Sequence, residues 1–248
     1  MRTTKTYCFI FARAGSKGLP NKNIRLLAGK PLLSYPIHLA KTLPFIDKIF
    51  VSTDSPEAMD IAKENNVIVI PRPDELASDY ANEFDAWKHA ISWVLDNIGH
   101  FDNFISLPCT APLRTKASVC HCFETFRQKN LFVVSVTKTK YNPFFNLVER
   151  DKQDSSINLL SPSKITRRQD APEIFCITPI AYIAKQEEII QRKNFWDGKI
   201  VGVEVSSDIA TDIDDLNDFL FAEAVIADLY IGCLAWVELA VFIDRLFS

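Results

Sequence analysis

The residues best suited to chemistry begin directly after the first apolar run of the chain. Residues 7–11 (YCFIF) are apolar or aromatic and predict a buried strand, which a loop of small residues follows. Gly15 and Gly18 remove side-chain bulk and permit positive φ, so backbone N–H groups can close around an anion. Three cations lie close to this loop: Arg13, Lys17 and Lys22. The combination predicts a binding site for a polyphosphate.

Neither of the two commonest phosphate-binding patterns is present in this loop. The P-loop requires G-x-x-x-x-G-K-[ST], and the dinucleotide fingerprint requires G-x-G-x-x-G. A strand–turn–helix corner with surface lysines would explain most isolated Gly-x-x-Gly matches. It does not explain the whole string A-R-A-G-S-K-G-x-x-x-K-N at residues 12–23, so we favour the phosphate-binding interpretation.

A second candidate site is a pair of carboxylates near the end of the chain. Asp212 and Asp214 alternate with Ile213. In an extended segment this spacing points both carboxylates to one side, while the isoleucine anchors the backbone. Two hard oxygen ligands suit Mg²⁺, which also binds water and substrate phosphates. The alternative is that Asp212 or Asp215 is only a helix N-cap; together with the loop, the pair predicts a metal–triphosphate site.

Two arginine-containing segments lie between these candidate sites. Arg72 stands in a loop stiffened by two prolines, and its simplest alternative role is a surface ion pair with Asp74 or Glu75. Arg167 and Arg168 are adjacent, and arginine suits bidentate binding of carboxylate or phosphate. A solvated charge cluster, neutralised by neighbouring acids, is the alternative for this pair.

The order of these motifs resembles that of the CMP-sugar-acid synthetases (acylneuraminate cytidylyltransferases). The string at 12–23 is similar to that family's signature, in which the loop wraps the triphosphate of CTP. Three further segments match family motifs: 72–79 (RPDELASD), 107–114 (LPCTAPLR) and 167–172 (RRQDAP). The D-I-D at 212–214 matches as well, so the resemblance covers the chain to about residue 226.

The resemblance implies a cytidylyltransferase that couples CTP to a sialic-acid-like sugar acid (a nonulosonate) and gives a CMP-sugar and pyrophosphate. The alternatives are a cytidylyltransferase for an eight-carbon acid of the Kdo type, a different nucleotidyltransferase, and a catalytically weakened nucleotide-binding protein. The implied cofactor is Mg²⁺ on Asp212 and Asp214, and the implied catalytic residues are Arg13, Lys22 and Asp212. The residues implied to bind CTP are Ala12, Arg13, Ala14, Gly15, Ser16, Lys17, Lys22, Asn23 and Arg72. The residues implied to bind the sugar acid are Thr110, Arg168, Gln169, Thr178, Tyr182 and Phe195.

The chain departs from the family pattern at the sugar-binding positions. Pro108 stands where the family often has glutamine, and Thr178 and Pro179 stand where sialic-acid members carry Asn-Gly. Tyr182 matches the pattern. These departures leave the identity of the sugar acid open, because they remove hydrogen-bonding side chains that would contact it.

The elements that must position these residues alternate along the chain. Strands are predicted at 46–54, 67–70, 103–107, 131–137, 175–183 and 199–205, and helices at 33–43, 56–65 and 83–97. The alternation predicts a three-layer α/β fold with a doubly wound, mostly parallel sheet, in which ligands bind at the carboxyl ends of the strands. The resemblance implies the Rossmann-like fold of nucleotide-diphospho-sugar transferases.

The pattern changes between residues 138 and 172, where the chain is polar and interrupted by prolines. Such a departure inside a compact domain is usually an insertion with a function, and the resemblance implies an arm that crosses to a partner subunit in a homodimer. We therefore predict a cytidylyltransferase domain at 1–227, which contains this arm, and an apolar C-terminal helix at 228–248. Glu238 interrupts that apolar run, so we expect the helix to pack on protein and not to enter a membrane.

Composition excludes some classes of partner and indicates a compartment. The net charge of −3 gives no basic field that would attract nucleic acid or an anionic membrane. The six cysteines show no framework spacing, and the N-terminal residues lack the apolar core of a signal peptide. The sequence therefore predicts a reduced, cytoplasmic protein.

Overall fold

The computed structural model of the protein describes residues 4–78, 81–162, 164–165 and 167–228. Helices α1–α6 are Ser34–Lys41, Pro56–Glu64, Asp74–Ala77, Glu83–Asn97, Lys116–Lys129 and Gln186–Gln191, and α7 occupies 216–228. Strands β1–β11 are Thr6–Phe11, Leu26–Leu27, Lys30–Pro31, Lys48–Thr53, Ile68–Pro71, Asn103–Ser106, Phe132–Lys138, Val148–Arg150, Ile157–Leu159, Phe175–Lys185 and Ile200–Glu204.

Local signals in the sequence account for where the helices begin. The Ser55 side chain accepts a hydrogen bond from the N–H of Ala58 and caps α2, whose first residue is Pro56. Asn82 caps α4 in the same way, through the N–H of Phe84. Thr115 and Ser118 form a reciprocal capping box at the start of α5. The predicted helix at 83–97 has the observed bounds because both its cap and its apolar periodicity are local.

A seven-stranded sheet forms the centre of the described residues, in the order β11-β7-β10-β6-β1-β4-β5. Every neighbouring pair is parallel except the two that involve β10, which runs antiparallel to β6 and β7. This is the mostly parallel sheet that the sequence predicts, with β11 at its predicted edge. Because β10 runs in the opposite direction, its first residues lie at the same end of the sheet as the carboxyl ends of the other strands.

Helices cover both faces of this sheet and complete three layers. One buried cluster joins Cys8 and Ile10 of β1 to α1, α2, α5 and α7. The other joins Tyr7 and Phe9 to α4 and α6, and is rich in aromatic rings. Successive residues of β1 thus enter opposite cores, which is the side-chain alternation of a strand buried on both faces. The predicted three-layer α/β fold is confirmed.

The segment from 139 to 172 lies outside the central sheet. It contains the two-stranded hairpin of β8 and β9 and a turn of 3-10 helix at Arg168–Asp170. We call this segment the arm; its role in a dimer stays a prediction, as does the division of the chain into 1–227 and 228–248. Residues 229–248, which make up nearly all of the predicted C-terminal helix, lie outside the described residues. Within the described ranges, no helix has the length and apolarity needed to cross a membrane.

Candidate active site

A cleft of about 540 Å³ opens at the carboxyl ends of the parallel strands. Its walls are the loops that follow β1, β5 and β6, the start of α4, the middle of β10, and the segment that follows β11. We call the part lined by Arg13, Ser16, Lys17, Gly18 and Lys22 the loop end of the cleft. We call the part lined by Pro108, Pro179 and Tyr182 the proline end.

Gly18 brings the first loop into direct contact with the Asp212–Asp214 segment. A Cβ atom added at Gly18 would lie 2.2 Å from the carbonyl oxygen of Asp214, a distance that no side chain can accept. Lys22 crosses the same junction, since its Nζ donates to the carbonyl of Ile213 and lies 3.3 Å from Oδ1 of Asp214. The loop at 12–23 and the carboxylate pair at 212–214, which are far apart in the sequence, are therefore in direct contact in the folded protein.

Ile213 anchors the carboxylate pair as the alternating pattern predicts. The Ile213 side chain is fully buried, and its N–H donates to the carbonyl of Thr110 at 2.8 Å. Asp212 and Asp214, on either side of it, both line the cleft. Desolvation by the cleft walls raises the pKa of the Asp212 carboxyl; a hydrogen bond with Thr110 opposes this shift, and the charge of Asp214 adds to it.

The donor set at this pair fits a cation that takes only part of its coordination from protein. Among the residues described, no group of three or more His, Cys, Asp or Glu side chains is arranged to hold a metal ion. Two neighbouring carboxylates attract a cation, and Mg²⁺ readily completes its shell with water and phosphate oxygens. Asp212 and Asp214 are thus the residues that could hold one.

The loop end is shaped by hydrogen bonds that tie the loop to its surroundings. Arg13 Nη1 donates to the carbonyl of Ser78 at 3.0 Å, and Asn23 Nδ2 donates to the carbonyl of Arg13 at 3.0 Å. The N–H of Ala14 donates to Oδ1 of Asp54 at 2.8 Å. Gly15 adopts the left-handed φ of +67° that its position in the turn requires.

The structure brings most of the predicted nucleotide-binding residues to the cleft. Those that line it are Arg13, Ser16, Lys17, Lys22, Asn23 and Arg72. Ala12, Ala14 and Gly15 belong to the same loop but are not part of the cleft lining. Ala12 is buried, with its N–H bonded to the carbonyl of Ser52 at 3.0 Å.

Arg72 lines the cleft as a buried side chain and not as a surface residue. It is 8% exposed, its Nη2 donates to the carbonyl of Ser52 at 3.0 Å, and its guanidinium lies over the ring of Phe11. Desolvation lowers the pKa of the Arg72 guanidinium, while the charges of Asp54 and Glu83 oppose that shift. The alternative of a surface ion pair with the acids that follow Arg72 does not describe this buried position.

Only some of the predicted sugar-binding residues line the proline end. Thr110 and Tyr182 do, and burial raises the pKa of the Tyr182 hydroxyl. Thr178 is buried, and its hydroxyl has no partner in the part of the chain that the structure describes. Phe195 packs among the rings of the aromatic core, including Trp87 and Tyr182, and supports the wall from behind.

Arg168 and Gln169 lie on the exposed turn of the arm and are not part of the cleft lining. The neighbouring Arg167 pairs with Asp170, with Nε 2.6 Å from Oδ2. Glu173 pairs instead with Lys138 at 3.0 Å. Local acids thus neutralise part of this charged segment, as the solvated-cluster alternative requires, while Arg168 and Gln169 are exposed.

Glu83 is a cleft residue that sequence reasoning missed. Glu83 is the first residue of α4. An acidic residue is common at that position because it interacts favourably with the helix dipole, so the residue type did not indicate a functional site. Its Oε1 accepts a hydrogen bond from Trp87 Nε1 at 3.3 Å. Desolvation raises the pKa of the Glu83 carboxyl, the Trp87 hydrogen bond and the charge of Arg72 oppose the shift, and the charge of Asp212 adds to it.

Comparison with known proteins identifies relatives of this chain. Residues 7–93 match the family model described as Cytidylyltransferase. Post-translational flagellin modification protein B of Campylobacter coli is 33% identical over 225 residues, which cover 89% of this chain and 94% of the relative. The CMP-N,N'-diacetyllegionaminic acid synthase of Legionella pneumophila is 32% identical over 217 residues, covering 82% and 90% of the two chains.

Longer proteins and a solved structure are similar to the chain as well. The N-acylneuraminate cytidylyltransferase of Streptococcus agalactiae is 32% identical over 219 residues, which cover 87% of this chain and 52% of the relative. The chain therefore spans about half the length of that enzyme. The structure of CMP:2-keto-3-deoxy-manno-octonic acid synthetase complexed with CTP superposes with a TM-score of 0.68 over 91% of this chain and 99% of the other. At 16% identity, this likeness shows a shared fold.

Proposed function

Because the chain belongs to the acylneuraminate cytidylyltransferase family of CMP-sugar-acid synthetases, we propose that it couples CTP to a sialic-acid-like sugar acid. The products are a CMP-sugar and pyrophosphate. The observation that carries this proposal is the closure of the Gly18 loop on the Asp212–Asp214 segment. That closure places cations and two carboxylates around one space, as a metal-bound triphosphate requires.

The loop end is the proposed site for the triphosphate. Arg13, Lys17 and Lys22 supply positive charge there, and Lys22 is held between the loop and the carbonyl of Ile213. Phosphoryl-centred transfer depends mainly on positioning and on stabilisation of charge, with little covalent work for the protein. Residues that are already fixed by hydrogen bonds before CTP enters are suited to that task.

Asp212 and Asp214 are the proposed ligands of Mg²⁺. When bound there, the ion would supply Lewis-acid polarisation of the α-phosphate and favour ionisation of the attacking hydroxyl. The protein's own contribution is to hold both carboxylates at the edge of the loop end, which Ile213 does through its buried side chain and its hydrogen bond to Thr110.

In the proposed reaction, the anomeric hydroxyl of the sugar acid attacks the α-phosphorus of CTP. The new bond joins that oxygen to phosphorus, and the bond from the α-phosphorus to the bridging oxygen of the β-phosphate breaks. Pyrophosphate leaves with the bonding electron pair, and the hydroxyl proton passes to solvent. Tyr182 of the proline end lines the same cleft as Asp212 and lies close enough for the charge of Asp212 to raise the pKa of the Tyr182 hydroxyl, so the proline end is the proposed position of the acceptor.

We infer that the protein acts as a homodimer, in which the arm of a second copy completes the acceptor site. Arg168 and Gln169 are exposed on the arm and outside the cleft of their own chain. The proposed task of Arg168 is to bind the carboxylate of the sugar acid, for which a guanidinium is suited.

The five cysteines in the described ranges are free thiols, which supports the proposed cytoplasmic location.

Pyrophosphate release with CTP, Mg²⁺ and a panel of eight- and nine-carbon sugar acids tests this function. Turnover with a nine-carbon acid is expected, and Asp212→Ala should reduce kcat/KM by about 1000-fold because it removes charge from the reacting centre. Asp208→Ala is the matched control, since Asp208 is an exposed acid four residues away that is outside the cleft lining. CTP binding without turnover on any acid would overturn the proposal, and turnover only with an eight-carbon acid would correct the acceptor.

A further inference from the structure

The proline end of the cleft is fixed from behind by one buried arginine. Pro108 follows β6 and Pro179 lies in β10, and both prolines line the cleft. Nη2 of Arg114 donates to the carbonyl of Pro108 and, at 3.0 Å, to the carbonyl of Pro179. Arg114 is 7% exposed and is not part of the cleft lining. A single nitrogen atom therefore joins two cleft walls that are distant in the chain.

The wall that Arg114 holds is an irregular part of β10. Ile177 pairs with Val136 of β7, but Tyr182 pairs with Val134, so the register shifts between them. The hydroxyl of Ser135 bridges this bulge, donating to the carbonyl of Thr178 at 2.6 Å and accepting from the N–H of Ala181 at 3.2 Å. Bulges re-aim side chains beside functional sites, and Pro179 has no N–H to lose from the ladder.

The position of Arg114 is a costly one for a cation. Its Nε and Nη1 have no hydrogen-bond partner within the residues the structure describes. Burial lowers the pKa of the guanidinium to about 10, although the nearby groups of Cys109, Cys8, Tyr182 and Asp212 oppose the shift. A leucine or methionine would fill the same space without this desolvation cost, so packing alone does not explain an arginine here.

We propose that Arg114 is a positioning residue for the sugar acid, which it serves by clamping Pro108 and Pro179 into one rigid wall. This inference rests on the proposed function. Arg114 does not touch the acceptor; it fixes the backbone on both sides of the proline end, while Ser135 fixes the bulge from β7. The proposed triphosphate site is the loop end, and the hydrogen bonds of Arg114 go to Pro108 and Pro179 instead, so we expect CTP binding to be independent of this clamp.

Arg114→Met tests the clamp, because it keeps most of the volume and removes both hydrogen bonds. The KM for the accepted sugar acid should rise roughly tenfold, while the Kd for CTP stays within about twofold. Amide hydrogen exchange at 180–183 should become faster. Arg114→Lys should give a smaller change, since an ammonium restores the charge but not the fixed geometry of the guanidinium. Arg127→Met, on the exposed face of α5, is the matched control and should change none of these quantities.

Two results would overturn the inference. One is a folded Arg114→Met protein whose acceptor KM and exchange rates match those of the wild type. The other is an equal loss of CTP and acceptor binding, which would show a general structural role. If Arg114→Met does not fold, Ser135→Ala releases the same bulge from its other side and must raise the acceptor KM. If the wild type turns over no sugar acid, the proposed function fails, and the exchange rates at 180–183 alone decide whether Arg114 holds the wall.

Discussion

The two ends of the cleft are built in different ways. The loop end comes from two short segments, 12–23 and 212–214, whose residues contact one another directly through Gly18, Lys22 and Asp214. The proline end comes from the loop after β6 and a bulge of β10, joined by Arg114 from below. The proposed phosphate site needs charges and N–H groups that a short loop can supply, whereas the proposed wall for the sugar acid depends on elements that meet only after folding.

Gly18→Ala gives the largest effect expected from this comparison. Its Cβ would collide with the backbone carbonyl of Asp214, so the loop and the carboxylate pair must move apart. We expect kcat/KM for CTP to fall by about 100-fold, since a displacement of about 1 Å at a reacting centre costs that much. Steady-state kinetics with varied CTP measures the loss.

Gly15→Ala is the matched control for that change. Gly15 has open space around its Cβ position but a left-handed φ of +67°. Its replacement should therefore lower stability by about 1 kcal/mol and leave most of the activity. Equal kinetic losses in the two alanine variants would contradict the direct contact between Gly18 and Asp214.

Tyr182→Phe acts at the proline end and should have a smaller and more selective effect. Tyr182 lines the cleft together with Pro179, and the change removes a hydroxyl group from the proposed acceptor site. We expect the acceptor KM to rise by about fivefold with no change in the Kd for CTP. Isothermal titration with CTP and kinetics with varied sugar acid separate the two effects, and weaker CTP binding would show that the two ends are not independent.

Glu83→Gln should alter stability more than catalysis, and in a pH-dependent way. The pKa of Glu83 is raised in the folded protein, so the folded state holds the proton more tightly than the unfolded chain does. Stability from this group is therefore lost as pH rises from the ordinary pKa through the raised one. Because Glu83 is an exposed residue, solvent screens much of this effect, and we expect Glu83→Gln to raise Tm by less than about 1 °C at pH 7.5 and to leave it unchanged near pH 3.5.

Calorimetry over this pH range is the measurement, and Glu124→Gln, on the exposed face of α5, is its control. A Tm at pH 7.5 below that of the wild type would show that the charged carboxylate stabilises the fold. In that case the ionised carboxylate of Glu83 would contribute favourably to folding, and burial would not destabilise it.

The sequence predicted the elements and the motifs that depend on local chemistry. The helix at 83–97 has the predicted bounds because its Asn82 cap and its apolar periodicity lie within the segment. The position of Ile213 as an anchor between two cleft carboxylates also follows from side-chain alternation over three residues. Such features can be predicted from the sequence because a helix cap, an apolar periodicity and a side-chain alternation are each set by a few neighbouring residues.

Other features could not be predicted because their partners are distant in the chain. Thr178 and Phe195 were expected to face the sugar, but the bulge of β10 buries the first and the aromatic core holds the second. Arg114 belonged to a recognised motif, yet nothing local indicates that its guanidinium bonds the carbonyl of Pro179. Glu83 lines the cleft because α4 begins beside the loop that follows β5, and tertiary packing sets that position.

By itself, the sequence determined that this chain folds as alternating strands and helices and carries a loop and a carboxylate pair suited to a metal-bound triphosphate. Those properties follow from residue type and short spacing. Only the tertiary structure decided that Gly18 meets the Asp214 carbonyl, that Arg72 is buried on Ser52, and that Arg114 joins two prolines into one wall. The physical reason is that close packing and the satisfaction of buried polar groups are set by residues that meet only when the sheet is complete.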